Sequence, residues 1–214
     1  MEPTIKGVQV AIFYKPIYIG SNVNAESLMK ENFGDEVQIN SYPIPQDAPA
    51  EIPRLNIQLN NFSFNFSNIR ADMIVNDVEP TQAELDNFFN VILAFNTDII
   101  RVGYVTRKNY ENVSDVFLRA NFNLDVNRFV DLNEVAESSW RVNRIQTIGD
   151  GECNNISTLS LDFSNNQSNI LLERDVNTVQ SRSNLNINDL ASLNSLVETL
   201  KIESNRPFGI TDHG

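Results

Sequence analysis

Residues 55–76 read LNIQLNNFSFNFSNIRADMIVN, and the alternation of apolar and polar side chains along them decides the fold. Leu55, Ile57 and Leu59 alternate with Asn56 and Gln58, and Phe62, Phe64 and Phe66 alternate with Ser63 and Asn65. The phase slips at Asn60-Asn61, where a tight hairpin turn fits because asparagine tolerates positive φ. Folding there sets Leu59 against Phe62, Ile57 against Phe64 and Leu55 against Phe66. A second turn at Ser67-Asn68 predicts Ile69, Ala71 and Met73 opposite Phe66, Phe64 and Phe62. All apolar residues then share one face, while Asn56, Gln58, Ser63, Asn65, Arg70 and Asp72 share the other. A slip of one residue would mix the two sets, so the pairing is well specified. One strand with a bulge at Asn60-Asn61 explains less of the third segment.

Working toward the N-terminus, four prolines, Pro43, Pro45, Pro49 and Pro53, mark an extended connector into this meander. It reads as a rigid loop, with a proline-rich ligand for a partner domain as the other reading. Val8, Val10, Ile12 and Tyr14 alternate in an opening strand within residues 7–19. Asn22 or Asn24 caps a helix from Ala25 to Phe33 that stops at Gly34, and Val37 to Tyr42 suggests another strand.

Downstream, Thr81-Gln82-Ala83-Glu84 matches a capping box. Leu85, Phe88, Phe89 and Ile92 follow at helical spacing, an apolar stripe for the sheet. Residues 99–107, IIRVGYVTR, read as a strand. Within 108–138, Ser114 to Ala120 and Asn133 to Glu137 suggest helical turns. Trp140 to Ile148, Ile156 to Phe163 and Ile170 to Val179 suggest three further strands, with turns at Gly149-Asp150-Gly151 and Asn165-Asn166. Leu190, Leu193, Val197 and Leu200 lie along one side of a helix from about Asp189 to Ile202, and Pro207 ends the fold. The expected class is α+β, antiparallel sheets packed on helices. It is arranged as two strand–strand–strand–helix halves, 1–107 and 108–214, in two units or one continuous domain. Each apolar sheet surface is expected to be closed over by the helix that follows it.

The order of features resembles a family of sporadically distributed bacterial proteins of unknown function. The resemblance covers most of the chain. It lies in the early strand Val8 to Phe13, the helix leading to IIRVGYVTR, and the late strand and helix NILLERDVNT and NDLASLNSLVETL. Ile100-Arg101-Val102-Gly103-Tyr104 is similar to that family's Arg-Ile-Gly-Leu-Arg-Tyr strand. This chain continues as Val105-Thr106-Arg107 without the Arg-Tyr ending, and it lacks the family's early Pro-Pro-Ile signature. The resemblance implies no activity.

Composition narrows the function. The 214 residues are 41% hydrophobic and 21% charged, ordinary for a globular chain, and they carry a formal net charge of −12. That excess of acid disfavours nucleic acid, which needs clustered lysine and arginine, and anionic membranes. Acid is spread along the chain, so solubility explains it better than mimicry of DNA. The first residues lack a basic segment and Lys15-Pro16 interrupts their apolar run, so neither a secretory signal nor a membrane span is expected. A single cysteine, Cys153, forms no intramolecular disulfide and suits a reducing cytoplasm.

Reactive constellations are scarce. The sole histidine is His213, beside the C-terminus, so no histidine-based triad or metal site suggests itself. Eight glycines form neither a Walker loop nor a Gly-x-Gly-x-x-Gly turn. Cys153 has no histidine partner in view and reads as an inert thiol. Asp150-Gly151-Glu152 lacks the other ligands of a calcium loop. Two carboxylate groups remain: Asp72, Asp77 and Glu79, and Asp162, Glu173 and Asp175. Paired carboxylates bind divalent metal or move protons, but on alternating strand positions a wet face is the default, with Arg70 and Arg174 at hand to neutralise them. The sequence therefore assigns no catalytic, cofactor or metal-binding residue.

The preferred reading is a non-catalytic interaction or self-assembling protein of bacterial or phage type, working through a protein partner or a homo-oligomer. One alternative is a chaperone-like or inhibitor module that holds a partner segment on an open Phe62/Phe64/Phe66 face. The other is a carboxylate-dependent metal enzyme.

Overall fold

The computed structural model describes residues 2–19, 24–45, 47–114, 116–117, 137–148, 151–162, 169–179, 185, 187 and 189–206. The elements run β1 Thr4–Tyr14, α1 Ala25–Phe33, β2 Gln38–Ser41, β3 Leu55–Leu59, β4 Phe62–Phe66, β5 Arg70–Asn76 and α2 Gln82–Leu93. They continue with β6 Ile99–Tyr110, β7 Glu137–Ile148, β8 Gly151–Asp162, β9 Asn169–Thr178 and α3 Leu190–Asn205. All nine strands join one antiparallel sheet in the order β2-β3-β4-β5-β1-β6-β9-β8-β7. Helices and an antiparallel sheet make the class α+β, as the sequence predicts.

The first meander folds as its alternation requires. Leu55 faces Phe66, Ile57 faces Phe64 and Leu59 faces Phe62, with Asn60 in the left-handed region at φ 49°. The third strand departs from expectation by two residues: Ala71, Met73 and Val75 face Phe66, Phe64 and Phe62. Ile69 belongs to the turn. Tertiary hydrogen bonds hold that turn, from Tyr14 N to Ile69 O and from Asn68 N to Ala50 O, so it is longer than a two-residue reversal. A shift of two keeps every side chain on its expected face.

β1 and β6 meet at the centre, and each half of the chain extends outward from there as its own meander. The sequence boundary at 107/108 falls inside β6, which pairs with β1 on one side and β9 on the other.

The three helices whose bounds are given above lie on one face, α1 against α2 and α2 against α3. The Asn24 carboxamide caps α1, accepting from Ser27 N at 3.0 Å, and Gly34 ends the helix at φ 86°. Thr81 and Glu84 form the expected capping box on α2. Leu85, Phe88, Phe89 and Ile92 are buried, with Phe88 centroids 5.8 Å from Phe64 and 6.5 Å from Phe66. Burial of each such ring contributes about 2–3 kcal/mol. Val8, Val10, Ile12 and Tyr14 complete this core beneath the helices.

Closure of the second meander differs from expectation. α3 lies over β6 and β9, its Leu193, Val197 and Leu200 joining the first core. The distal Leu159, Leu161, Ile170 and Leu172 pack instead with Val113, Tyr110, Phe117 and Trp140. The turns at 149–150 and 165–166, and most of both helical turns expected within 108–138, lie outside the described residues.

Candidate functional site

Two polar zones frame any chemistry, one on each face of the sheet. Strand alternation places Gln9, Asp72, Arg107 and Glu173 on the face away from the helices. There the Arg107 guanidinium donates to Glu173 at 2.7 Å and to Gln9 at 3.4 Å, and Gln9 donates to Asp72 at 2.9 Å. Arg70 donates to the same Asp72 oxygen, at 2.6 Å from Nη2 and 2.9 Å from Nε. Outward from there, Asn56 donates to Asn65 and Gln58 to Ser63. Phe13 lies between two guanidiniums, Arg70 at 4.7 Å and Arg101 at 4.9 Å from its centroid. The smallest pair, Ala11 opposite Gly103, makes a dip in the middle of the face. A Cβ at position 103 would touch Asn177 Cβ at 3.4 Å and Ala11 Cβ at 3.8 Å.

Where register is unbroken, Arg70, Arg101, Arg107 and Arg141 hold positions on this face, and so do Asp72, Glu137, Glu152, Asp162, Glu173 and Asp175. Four cations against six carboxylates give it only a small acid excess. Most of the chain's excess of acid lies elsewhere.

The second zone is buried beneath the end of α3, between the two apolar clusters. Thr106, Asn155, Ser157, Arg174, Glu203 and Ser204 are each under a tenth exposed. Arg174 Nη1 donates to the carbonyls of Glu203 at 3.3 Å, Ser204 at 3.4 Å and Arg206, collecting the oxygens that the helix end leaves without intrahelical donors. Asn155 donates to Glu203 at 3.2 Å and to Gln146 at 3.0 Å, and Arg206 pairs with Glu203 at 2.9 Å. Burial pulls the Arg174 pKa below its usual value, with the Glu203 carboxylate opposing the shift. A cleft of about 500 Å³ opens beside this zone, lined by Gln146, Ile148, Thr199, Ile202, Glu203 and Arg206 among others. Its lining adds the hydroxyl of Thr147 to that of Thr199, and its one carboxylate, Glu203, is engaged by Asn155 and Arg206.

The carboxylate groups named from sequence do not assemble. Asp72 is tied to Arg70 and Gln9 on the open face, while Glu79 pairs with Lys201 of α3 at 3.1 Å, and Asp77 sits exposed in the turn after β5. Glu173 pairs with Arg107, and Asp175 accepts from Asn177 at 2.8 Å. In β8, Asp162 stands opposite Asn169, four register positions from Thr158, the residue opposite Glu173, which is about 13 Å along the strand. Among the described residues no three of His, Cys, Asp and Glu gather as metal ligands. Arg70 neutralises its neighbour as expected. Arg174 does not, because its strand position turns it under α3.

Cys153 is buried and free, its pKa pushed up to about 11 by burial first and by Glu203 second. His213 lies outside the described residues. Phe64 and Phe66 are fully covered by α2 and its neighbours, Phe62 partly. The buried zone around Arg174 and Glu203 was missed from sequence, because Asn155, Ser157 and Arg174 break the apolar alternation of β8 and β9. Among the described residues no helix is long and apolar enough to cross a membrane. No protein-family model matches the chain, and no curated protein matches it.

Proposed function

We propose that this protein works by binding protein surfaces, its own copies among them, and carries out no covalent chemistry. The observation that supports this reading is the uncovered sheet face. Among the described residues it is broad and carries only a small acid excess on a chain of net charge −12, and its Arg70, Arg107, Asp72 and Glu173 are engaged in ion pairs. A polar face of small net charge lets acidic molecules approach with less repulsion than their net charge otherwise imposes. The alternative of a segment-holding chaperone needs an open phenylalanine row, and that row lies under α2. Nucleic acid and anionic membranes are disfavoured partners for so acidic a chain. The lone buried thiol fits a cytoplasmic setting, and kinship with the sporadically distributed bacterial family belongs to the same reading.

Light scattering coupled to size exclusion, run across a hundredfold range of concentration, tests it. Mass rising above the 24.2 kDa of one chain supports association. A constant single-chain mass, together with a divalent-metal thermal shift abolished by Asp72→Asn or Glu173→Gln, contradicts it and restores a metal enzyme.

A further inference from the structure

We propose that β7 is a self-complementary edge, through which two copies of this chain join their sheets antiparallel into one. This rests on the association reading above and narrows the partner to a second copy. Among the described residues β7 is the last strand of the sheet, twelve residues long, and it pairs with β8 without a register shift. The opposite end of the sheet is β2, only four residues long and followed by the proline-bearing connector. Native proteins blunt a free edge with proline, lysine, a bulge or a short strand. β7, ESSWRVNRIQTI, has no proline, lysine or bulge, and among its middle residues only Arg141 and Arg144 guard the edge. It also shows an aliphatic side chain on each face, Val142 at 41% and Ile145 at 58% exposed.

Self-complementary register, with the arginines of the two copies offset, points to a second copy. Arg141 and Arg144 are the only charges between Ser138 and Ile148, so the edge is locally cationic on an acidic molecule. The two arginines lie on opposite faces of the sheet, so a register that offsets them keeps the like charges of two copies apart. A twofold axis perpendicular to the sheet keeps each face continuous and pairs residues of equal parity. An axis at Arg141 or Arg144 sets an arginine against its own copy, which is unfavourable. An axis at Asn143 sets Arg141 against Ile145 and Arg144 against Val142, so arginine stems cover the exposed aliphatics. An axis at Val142 sets Trp140 against Arg144 and Arg141 against Asn143. Either axis passes through the middle of the strand.

Cysteine crosslinking of the full chain tests this, because Cys153 is buried and contributes no competing thiol. Residues at the axis of an antiparallel pair have Cα atoms about 4.5–5.5 Å apart, within disulfide reach. Copies of residue 139 lie about 20 Å apart or more in both registers. Mild oxidation is expected to give a covalent dimer with Asn143→Cys or Val142→Cys and none with Ser139→Cys. The exposed double variant Val142→Lys/Ile145→Lys, its fold checked by circular dichroism, is expected to lose the doubled mass. A doubled mass that survives the lysines, with neither cysteine crosslinking, overturns the β7 pairing and leaves association through another surface. A single-chain mass at every concentration with no crosslink overturns the β7 pairing and self-association together. A β7 occupied only by a different protein overturns the choice of a second copy.

Discussion

Several buried titratable groups hold protons in the folded state that they lose on unfolding. Burial raises the pKa of Tyr14 and Tyr104 well above the usual phenol value of 10.0, raises that of Tyr110 as well, and moves Cys153 from 9.0 to about 11. In each case the unfolded chain ionises first, so it binds fewer protons than the native state and stability falls as pH rises. Lys108 and Arg174, their pKa values lowered chiefly by burial, act in the opposite sense. Chemical denaturation should therefore show constant stability near neutrality and a decline setting in between pH 9 and 10. Tyr14→Phe should soften that decline. The same variant costs about 1 kcal/mol at neutral pH, because the Tyr14 hydroxyl donates to the Ser67 carbonyl at 2.9 Å inside the core. Cys153 gives a second readout: thiol reagents at pH 8 should label it only after unfolding, and rapid labelling of native protein would contradict its burial.

Elements separate what the sequence disclosed from what it hid. Alternation from Leu55 to Phe66 names both faces and the register of β3 and β4, since nothing outside the hairpin is needed to choose them. The position of Asn60 in the left-handed region makes this checkable. Asn60→Ala should lower stability by about 1 kcal/mol and Asn60→Gly should not, as read by thermal or urea unfolding. Phe64→Ala empties a site bounded by Phe33, Phe62 and Phe88 and should cost about 3–5 kcal/mol. The register of β5 was not legible because distant partners, Tyr14 and Ala50, set the turn before it. The end of α3 was hidden for a related reason. Hydropathy stops the helix at Ile202, yet Ile202 is 55% exposed while Glu203 is buried against Asn155 and Arg206. Polar pairing across elements reverses the expected order of burial there, and no local pattern reports it.

At the scale of the molecule, one sheet with its helices on a single side leaves a broad face and one long edge uncovered by any described residue. Candidate carboxylates were visible in the sequence, but which of them meet depends on strand order. That order placed β1 against β6 and scattered the acids among arginine and amide partners. On the function proposed above, that surface serves other proteins, with β7 as its margin. Hydrogen exchange along β7 at low and high protein concentration tests this most directly, because exchange of an edge strand responds to whatever pairs with it. The account predicts that amides from Ser139 to Thr147 gain protection as concentration rises while those of β3 and β4 stay unchanged. Equal exchange in β7 at every concentration, with the chain remaining single, would contradict it.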